Sequence, residues 1–223
     1  RSSMSQLVED YILHNLEKYN EIAEKRPLHD EIQERRQREK YQGAFVFQPT
    51  PGLYENICFF DFASMYASII VSYNLSRSTL TQEKKNAYEG MLGNEKVYFS
   101  KEQGFFPLML KEIIEKRKKY KEEYKNQENP ITKARSNAYK LLANAAYGYQ
   151  GFFGARYYCV EAASSTAYFA RENIKEVIEK INKAGFNVIY SDTDSIAFQL
   201  NNKTKKETLE FLKKLNENLP GIM

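Results

Sequence analysis

The stretch Tyr-Ser-Asp-Thr-Asp-Ser at residues 190–195 places two acids in a tight turn between two apolar runs. Residues 188–190 and 196–198, on either side of it, have the composition of paired hairpin strands. The carboxylates of Asp192 and Asp194 therefore repel each other unless water, a proton or a cation separates them. Oxygen ligands on a rigid turn suit Mg²⁺. Because Asp and Thr are also ordinary turn formers, a solvated turn is the alternative.

A third acid follows another short apolar run. Residues 56–60 predict a buried strand that ends at Asp61, and Ser64 is a candidate cap for a helix over residues 64–72. A carboxylate in this place lies beside the N–H groups of a helix start, which bind phosphate. The alternative is that Asp61 only stabilises the helix dipole.

Two helical patterns, over residues 108–125 and 132–147, flank a break at residues 126–130. Helices joined by a short loop run antiparallel, so Arg117 and Lys140 should each lie roughly 17 Å from the loop. The pair then predicts a two-cation clamp for phosphate. Lys140 also shares one helix face with Asn144 and Tyr147. The alternative is that Arg117 and this face are merely solvated.

Three segments in this order resemble the polymerase motifs of family B DNA polymerases. The first motif resembles residues 61–70, the second residues 140–148 and the third residues 190–195. Residues 41–44 resemble the linker motif before the polymerase region, and residues 104–107 resemble the lead-in to the fingers helices. Residues 155–159 resemble the segment that follows the fingers in archaeal members. The sequence departs from the family at Ala67, where Pro is usual, and at Ser191, where Gly is common.

The resemblance implies a metal-binding centre. Asp61, Asp194 and the backbone carbonyl of Phe62 would hold two Mg²⁺ ions, for which Mn²⁺ is a possible substitute. Asp192 would be a nearby accessory acid of the catalytic group.

It also implies contacts with nucleotide and DNA. The triphosphate would be held by the side chains and backbone N–H groups of Arg117, Lys140, Asn144, Ser64 and Met65. Tyr66 would stack under the sugar and exclude a ribose 2′-hydroxyl. The nascent base pair and the template strand would be contacted by Tyr147, Gly148, Tyr41 and Gly43.

The fold implied is α+β, with an antiparallel palm sheet covered by helices and a two-helix antiparallel fingers hairpin. The predicted parts are an N-terminal helical segment, a first palm part, the fingers helices, and a second palm part that ends before the thumb; their ranges are residues 1–40, 41–106, 107–149 and 150–223. The predicted function is a template-directed DNA polymerase core that adds deoxynucleotides to a primer 3′-hydroxyl by a two-metal mechanism. The alternative is a non-catalytic or partner-dependent nucleic-acid-binding palm fragment of a split or truncated polymerase.

The expected partners are primer-template DNA, dNTP, a second polypeptide that carries the thumb, and a sliding clamp.

The net charge is only +4, yet residues 111–125 and 203–206 are rich in Lys. Such clusters favour contacts with phosphate; the alternative is that they only keep the protein soluble. No apolar run reaches membrane-spanning length and no secretory leader is visible, so we expect a cytoplasmic protein. The resemblance implies that it is prokaryotic and nucleoid-associated.

The remaining patterns predict secondary structure. Helices are expected over residues 7–25, 30–40 and 158–181, and sheet strands over residues 54–61 and 188–200. Residues 82–97 are polar and poorly patterned, which indicates a variable insertion.

Cys58 and Cys159 are expected to be buried thiols of a reducing compartment. The first three residues, Arg-Ser-Ser, resemble a cloning scar.

Overall fold

The computed structural model describes residues 3–38 and 41–217. The helices are α1 Met4–Asn15, α2 His29–Gln37, α3 Met65–Ser72, α4 Phe105–Asn126, α5 Pro130–Gln150, α6 Val160–Lys183 and α7 Lys205–Glu217. The strands are β1 Val46–Phe47, β2 Ile57–Asp61, β3 Leu80–Thr81, β4 Ala87–Leu92, β5 Glu95–Ser100, β6 Asn187–Asp192 and β7 Ser195–Gln199. All strand pairs are antiparallel, which confirms the α+β prediction.

The chain forms two compact units. The first unit holds the described residues up to Gln42 together with Tyr66–Thr166. The second unit holds Gly43–Met65 and the described residues from Ala167 onward. The predicted division into an N-terminal segment, two palm parts and fingers stays a prediction, and its two ends at residues 1–2 and 218–223 lie outside the described residues.

The second unit is built on a four-stranded sheet in the order β1-β6-β7-β2. The predicted hairpin is present as β6 and β7, which reverse at Thr193 with a φ of 56°. Its buried side holds Ile196 and Phe198, and the Phe198 ring lies 5.1 Å from that of Phe186. Since Phe186 is also 5.1 Å from Phe211 of α7, these rings pack β7 and α7 into one core.

The prediction of a buried strand over residues 56–60 is wrong in its burial. Among the described residues, strand β2 is at the edge of the sheet and pairs only with β7, and Phe59 is 74% exposed. Only Phe60 of this strand is fully buried, and Cys58 on the same side is half-buried rather than buried. A continuous apolar run does not reveal whether a strand has neighbours on both edges.

The first unit contains the predicted helix pair as α4 and α5, which pack against each other. Asn129 caps α5 by accepting a hydrogen bond from the Ile131 N–H at 2.8 Å, and Pro130 occupies the first helical turn, where its missing N–H costs nothing. The stacked rings of Tyr120 and Tyr139, 5.8 Å apart, join the two helices. The antiparallel hairpin is therefore confirmed, with both helices a few residues longer than predicted.

The N-terminal helices are shorter than the sequence predicted. Helix α1, capped by the Ser3 hydroxyl, ends at Asn15, and the 3-10 helix Glu17–Tyr19 is closed by Asn20 with a φ of 50°. The predicted helix over residues 30–40 is present as α2, and residues 39–40 lie outside the described residues. Helix α1 packs on α5, where the Tyr149 hydroxyl donates to Glu9 at 2.8 Å.

The poorly patterned residues 82–97 fold into regular structure. They form β4 and the start of β5, which belong to a three-stranded sheet in the order β3-β5-β4. The hairpin turns at Gly93 with a φ of 58°, followed by Asn94, and this Gly-Asn pair was the turn signal in the sequence. Ser165 of α6 accepts a hydrogen bond from the Met91 N–H at 3.0 Å and so ties the sheet to the helix.

Cys58 and Cys159 are both free thiols, and Cys159 is buried. Within residues 3–38 and 41–217, no helix is long and apolar enough to cross a bilayer.

Candidate active site

Two of the predicted acids lie side by side in the second unit. Asp61, the last residue of β2, is paired with Ser195 of β7, the residue that directly follows Asp194. The Phe62 N–H donates to the backbone carbonyl of Asp194 at 2.9 Å, which continues the ladder past the end of the strand. The backbone therefore brings the end of β2 and the acidic turn together.

The electrostatics of this pair are unfavourable without a counter-charge. The pKa of Asp194 is raised, first because its carboxyl is partly buried and then because of the negative charge of Asp61. The charge of Asp192 adds a weaker effect in the same direction. A cation between Asp61 and Asp194 would offset both the burial and the repulsion.

Asp192 has partners of its own on the turn. Its carboxylate accepts hydrogen bonds from the Tyr190 hydroxyl at 3.2 Å and from the Thr193 hydroxyl at 2.8 Å. These two hydrogen bonds hold the Asp192 carboxylate against its own turn.

The residues present fit a magnesium centre made partly of main chain. Across the described parts of the chain, no three or more His, Cys, Asp or Glu side chains are grouped to hold a metal. The carboxylates of Asp61 and Asp194 are hard oxygen ligands of the kind that Mg²⁺ prefers. The backbone carbonyl of Phe62, the residue after Asp61, is a third such ligand. Mg²⁺ commonly keeps several waters and takes only one or two protein carboxylates, so a side-chain cage is not required.

The helix that follows Asp61 begins where the sequence predicted it. Helix α3 starts at Met65, and Ser64 immediately before it has a φ of 58°. The first N–H groups of a helix have no acceptors within that helix, so they can bind an anion. The predicted backbone donors at Ser64 and Met65 are thus in a suitable local structure.

The hairpin of the first unit carries the predicted cations. The Lys133 ammonium lies 5.5 Å from the centre of the Tyr124 ring, so Tyr124 of α4 and Lys133 of α5 are at the same height along the two antiparallel helices. Seven residues, about two helical turns, lead from Tyr124 back to Arg117 and from Lys133 on to Lys140, so these two cations are at one level of the hairpin.

The surroundings of the hairpin cations differ. Arg117 is half-buried and its pKa is lowered by that burial, so it is not simply part of a solvated charge run. Lys140, Asn144 and Gly148 are exposed. Residues 105–150 hold ten Lys and Arg against five Glu, a net charge of +5 in a chain whose total is +4. The hairpin therefore carries the whole positive excess of the protein, which favours an anionic ligand.

Three tyrosines predicted from three separate motifs meet in the first unit. The rings of Tyr66 and Tyr147 have centroids 4.6 Å apart at a tilt of 40°. The hydroxyls of Tyr147 and Tyr41 are 3.3 Å apart, and the pKa of Tyr41 is raised by its burial and by this hydrogen bond. The chain has seventeen tyrosines, and no pattern in the sequence indicated that these three would touch.

The predicted residues are thus distributed over both units. The first unit holds the hairpin residues and the three tyrosines; the second holds the acids, Phe62, Ser64, Met65 and Gly43. The Gly43 carbonyl accepts a hydrogen bond from Arg171 at 2.9 Å, an arginine that sequence reasoning did not single out.

Comparison with known proteins identifies the family. The model of DNA polymerase family B matches residues 1–221. DNA polymerase 1 of Pyrococcus abyssi is identical at 37% of 234 aligned positions, and the DNA polymerase of Thermococcus gorgonarius at 39% of 235; both alignments cover 100% of this chain and 30% of the relative.

A solved structure agrees with these relatives. The family B DNA polymerase of the hyperthermophilic archaeon Pyrobaculum calidifontis superposes with a TM-score of 0.76 at 33% identity, over 97% of this chain and 28% of that one. This chain spans about 30% of the length of the relatives that it matches. Both the motifs and the fold that carries them lead to one conclusion: the chain belongs to DNA polymerase family B.

Proposed function

We propose that this chain is the catalytic core of a template-directed DNA polymerase, which joins a deoxynucleotide to a primer 3′-hydroxyl and releases pyrophosphate. The observation that carries the proposal is the adjacent pair Asp61 and Asp194, held by the backbone ladder, with the pKa of Asp194 raised. A partly buried carboxyl whose pKa is raised by a second nearby carboxylate is typical of a functional site.

The acids are assigned to metal binding. Asp61, Asp194 and the Phe62 carbonyl would hold two Mg²⁺ ions, with Mn²⁺ as a substitute, and Asp192 would act as the accessory acid. When bound, such ions neutralise phosphate charge and lower the pKa of an attacking hydroxyl. The contribution of the chain itself is to hold the two carboxylates in place on paired strands.

Arg117, Lys140 and Asn144 are assigned to the triphosphate, together with the backbone N–H groups of Ser64 and Met65. Phosphoryl transfer needs mainly positioning and charge neutralisation. The support for this assignment is the common level of Arg117 and Lys140 and the +5 charge of their hairpin. An arginine that is half-buried is also better fixed in direction than a solvated one.

The tyrosines are assigned to the nucleotide and the template. Tyr66 would lie under the deoxyribose, where a ribose 2′-hydroxyl would clash with its ring, and Tyr147 with Gly148 would line the nascent base pair. Tyr41 and Gly43 would contact the template strand. The hydrogen bond between Tyr41 and Tyr147 supports a shared surface for these two tyrosines within the first unit.

The test is primer extension by the chain and by Asp61→Ala and Asp194→Ala variants, with circular dichroism to show that each variant is folded. We expect both substitutions to abolish incorporation. The control is Asp30→Ala, since the Asp30 side chain is fully exposed on α2. Extension retained by either acid variant would remove the metal assignment.

The second candidate is a nucleic-acid-binding module that lacks chemistry or needs a partner chain. The positive excess of the hairpin favours it, because such a surface binds phosphate backbones without any reaction. Fluorescence anisotropy with primer-template, followed by extension with and without a thumb-containing polypeptide and a sliding clamp, separates the two. Binding without extension under all of these conditions would favour the module. A polymerase would act at the nucleoid, so the predicted location follows only from the first proposal.

A further inference from the structure

Asn74 makes an unusual number of contacts for one side chain. It follows α3, is 5% exposed and has a φ of 53°. Its amide nitrogen donates to the carbonyls of Ser100, at 2.8 Å, and Glu102. Its amide oxygen accepts from the Gly104 N–H at 3.0 Å and from the Gln103 side chain at 3.3 Å. One carboxamide therefore holds the end of β5 and the residue immediately before α4.

The residues around Asn74 pack closely against the start of α4 and constrain its direction. At Gly104, a Cβ would lie 2.5 Å from a methyl carbon of Thr79, so the chain passes against residues 74–79 at a distance that only glycine permits. Thr79 is buried as well, and its hydroxyl donates to the Asn74 carbonyl. The start of α4 is thus enclosed by both the side chain and the backbone of this segment.

The end of α5 is attached to the same segment. The side chain of Gln150, which is 1% exposed, donates to the Leu75 carbonyl at 2.9 Å. The base of the α4–α5 hairpin is therefore fixed on both helices by two consecutive residues, Asn74 and Leu75.

We propose that Asn74 is a positioning residue for the hairpin: its carboxamide sets the direction in which α4 leaves the base and, through it, the place of Arg117. Arg117 lies twelve residues beyond Phe105, roughly 18 Å along the helix. A rotation of about 10° at the base would move it by about 3 Å, far beyond the roughly 0.5 Å tolerance of a preorganised site. The consequence for nucleotide binding rests on the proposed function; the consequence for hairpin direction does not.

The test variant and its control both replace an asparagine that has a left-handed backbone conformation. Asn74→Gly removes the carboxamide and keeps a conformation that glycine adopts freely. Asn86→Gly makes the same change at an exposed residue with a φ of 55° and is the control. Gln103→Ala removes only one of the bonds to Asn74 and serves as a milder variant that should fold if Asn74→Gly does not.

The first measurement is the distance distribution between two spin labels, obtained by double electron–electron resonance. The labels are attached at Glu122→Cys on α4 and Glu95→Cys on β5, both exposed and both in the first unit, in a Cys58→Ser background. We expect the distribution to become at least twofold wider in Asn74→Gly, less so in Gln103→Ala, and to stay unchanged in Asn86→Gly. A residue with a merely structural role would lower the melting temperature but leave the width unchanged in folded molecules.

The second measurement is the dissociation constant for a fluorescent dNTP with Mg²⁺, which we expect to rise about tenfold in Asn74→Gly, a factor that corresponds to about 1.4 kcal/mol. An unchanged distance distribution in folded Asn74→Gly overturns the proposal. If that variant does not fold, an unchanged distribution in Gln103→Ala overturns it. A wider distribution in a protein that binds no dNTP even as wild type supports the role of Asn74 and contradicts the proposed nucleotide site instead.

Discussion

Replacing Asp194 by asparagine should make the protein more stable while removing its metal response. Asparagine keeps the size of the side chain and one acceptor oxygen, but it removes the charge that burial and Asp61 both disfavour. Evolved functional sites commonly carry such a cost in stability. The prediction therefore tests whether this acid pair is maintained for a ligand.

The size of the effect follows from the pairing of β2 with β7. Asp194 directly precedes Ser195, the cross-strand partner of Asp61, and side chains of opposite and diagonal cross-strand neighbours lie about 4.5–8 Å apart. Two unit charges about 6 Å apart at an effective dielectric constant of about 40 repel by roughly 1.4 kcal/mol, and the exposure of Asp61 lowers this to about 1 kcal/mol. For a chain of this length, about 1 kcal/mol corresponds to a melting-temperature increase of about 2–4 °C.

The assay is thermal unfolding followed by circular dichroism, with EDTA and with Mg²⁺. In EDTA at neutral pH, Asp194→Asn should melt about 2–4 °C above wild type. Mg²⁺ at ten times its dissociation constant should stabilise wild type by about 1.4 kcal/mol and leave the variant unchanged. Asp30→Asn, which removes an exposed carboxylate, is the control and should not raise the melting temperature.

The pH dependence gives an independent check of sign. A folded-state pKa above the unfolded value of about 3.9 means that ionised Asp194 destabilises the native state. Wild type should therefore lose stability, relative to the variant, as pH rises from about 3.9 through the raised pKa, and the difference should be constant above it. A variant no more stable than wild type in EDTA at neutral pH would refute the reasoning.

Three further predictions concern other residues. Tyr66→Ala should raise ribonucleotide incorporation relative to deoxynucleotide at least about tenfold in single-nucleotide extension, because the ring that we propose to lie under the sugar is lost; an unchanged ratio counts against the sugar-exclusion role. Tyr147→Phe removes the hydroxyl 3.3 Å from that of Tyr41, so the raised pKa of Tyr41 should fall toward its ordinary value in an ultraviolet titration; no fall would mean that burial alone raises it. Glu9→Gln removes the counter-charge 3.0 Å from the mostly buried guanidinium of Arg156, and the free energy of unfolding should fall by about 1–3 kcal/mol in chemical denaturation. Glu89→Gln, which breaks the exposed pair with Lys96, should lower it by at most about 1 kcal/mol.

Local patterns predicted much of this protein because the interactions behind them are local. The turn at residues 190–195 needed only a left-handed residue, which is Thr193, and two apolar flanks. The hairpin needed a capped helix start, which Asn129 and Pro130 provide, and two amphipathic repeats. The same patterns fixed the level of Arg117 and Lys140, since helix rise is nearly constant.

The errors arose where a residue's surroundings depend on distant chain. Phe59 is exposed because β2 is an edge strand, which is a property of the sheet and not of residues 56–60. The predicted helix over residues 7–25 stops at Asn15 although its apolar spacing continues. Residues 82–97 were unassigned because their strands are stabilised by pairing with each other and with β3.

The sequence by itself determined which acids, cations and tyrosines this protein has and on which helices and turns they lie. Only the tertiary structure decided which of them meet: Asp61 with Asp194, and Tyr41 with Tyr147. It also decided that Asn74, an ordinary turn residue in the sequence, bonds to groups 26 to 30 residues away. The physical reason is that hydrogen bonds and burial act between groups that folding brings together, and the period of a helix or strand carries no information about the partner on the other side.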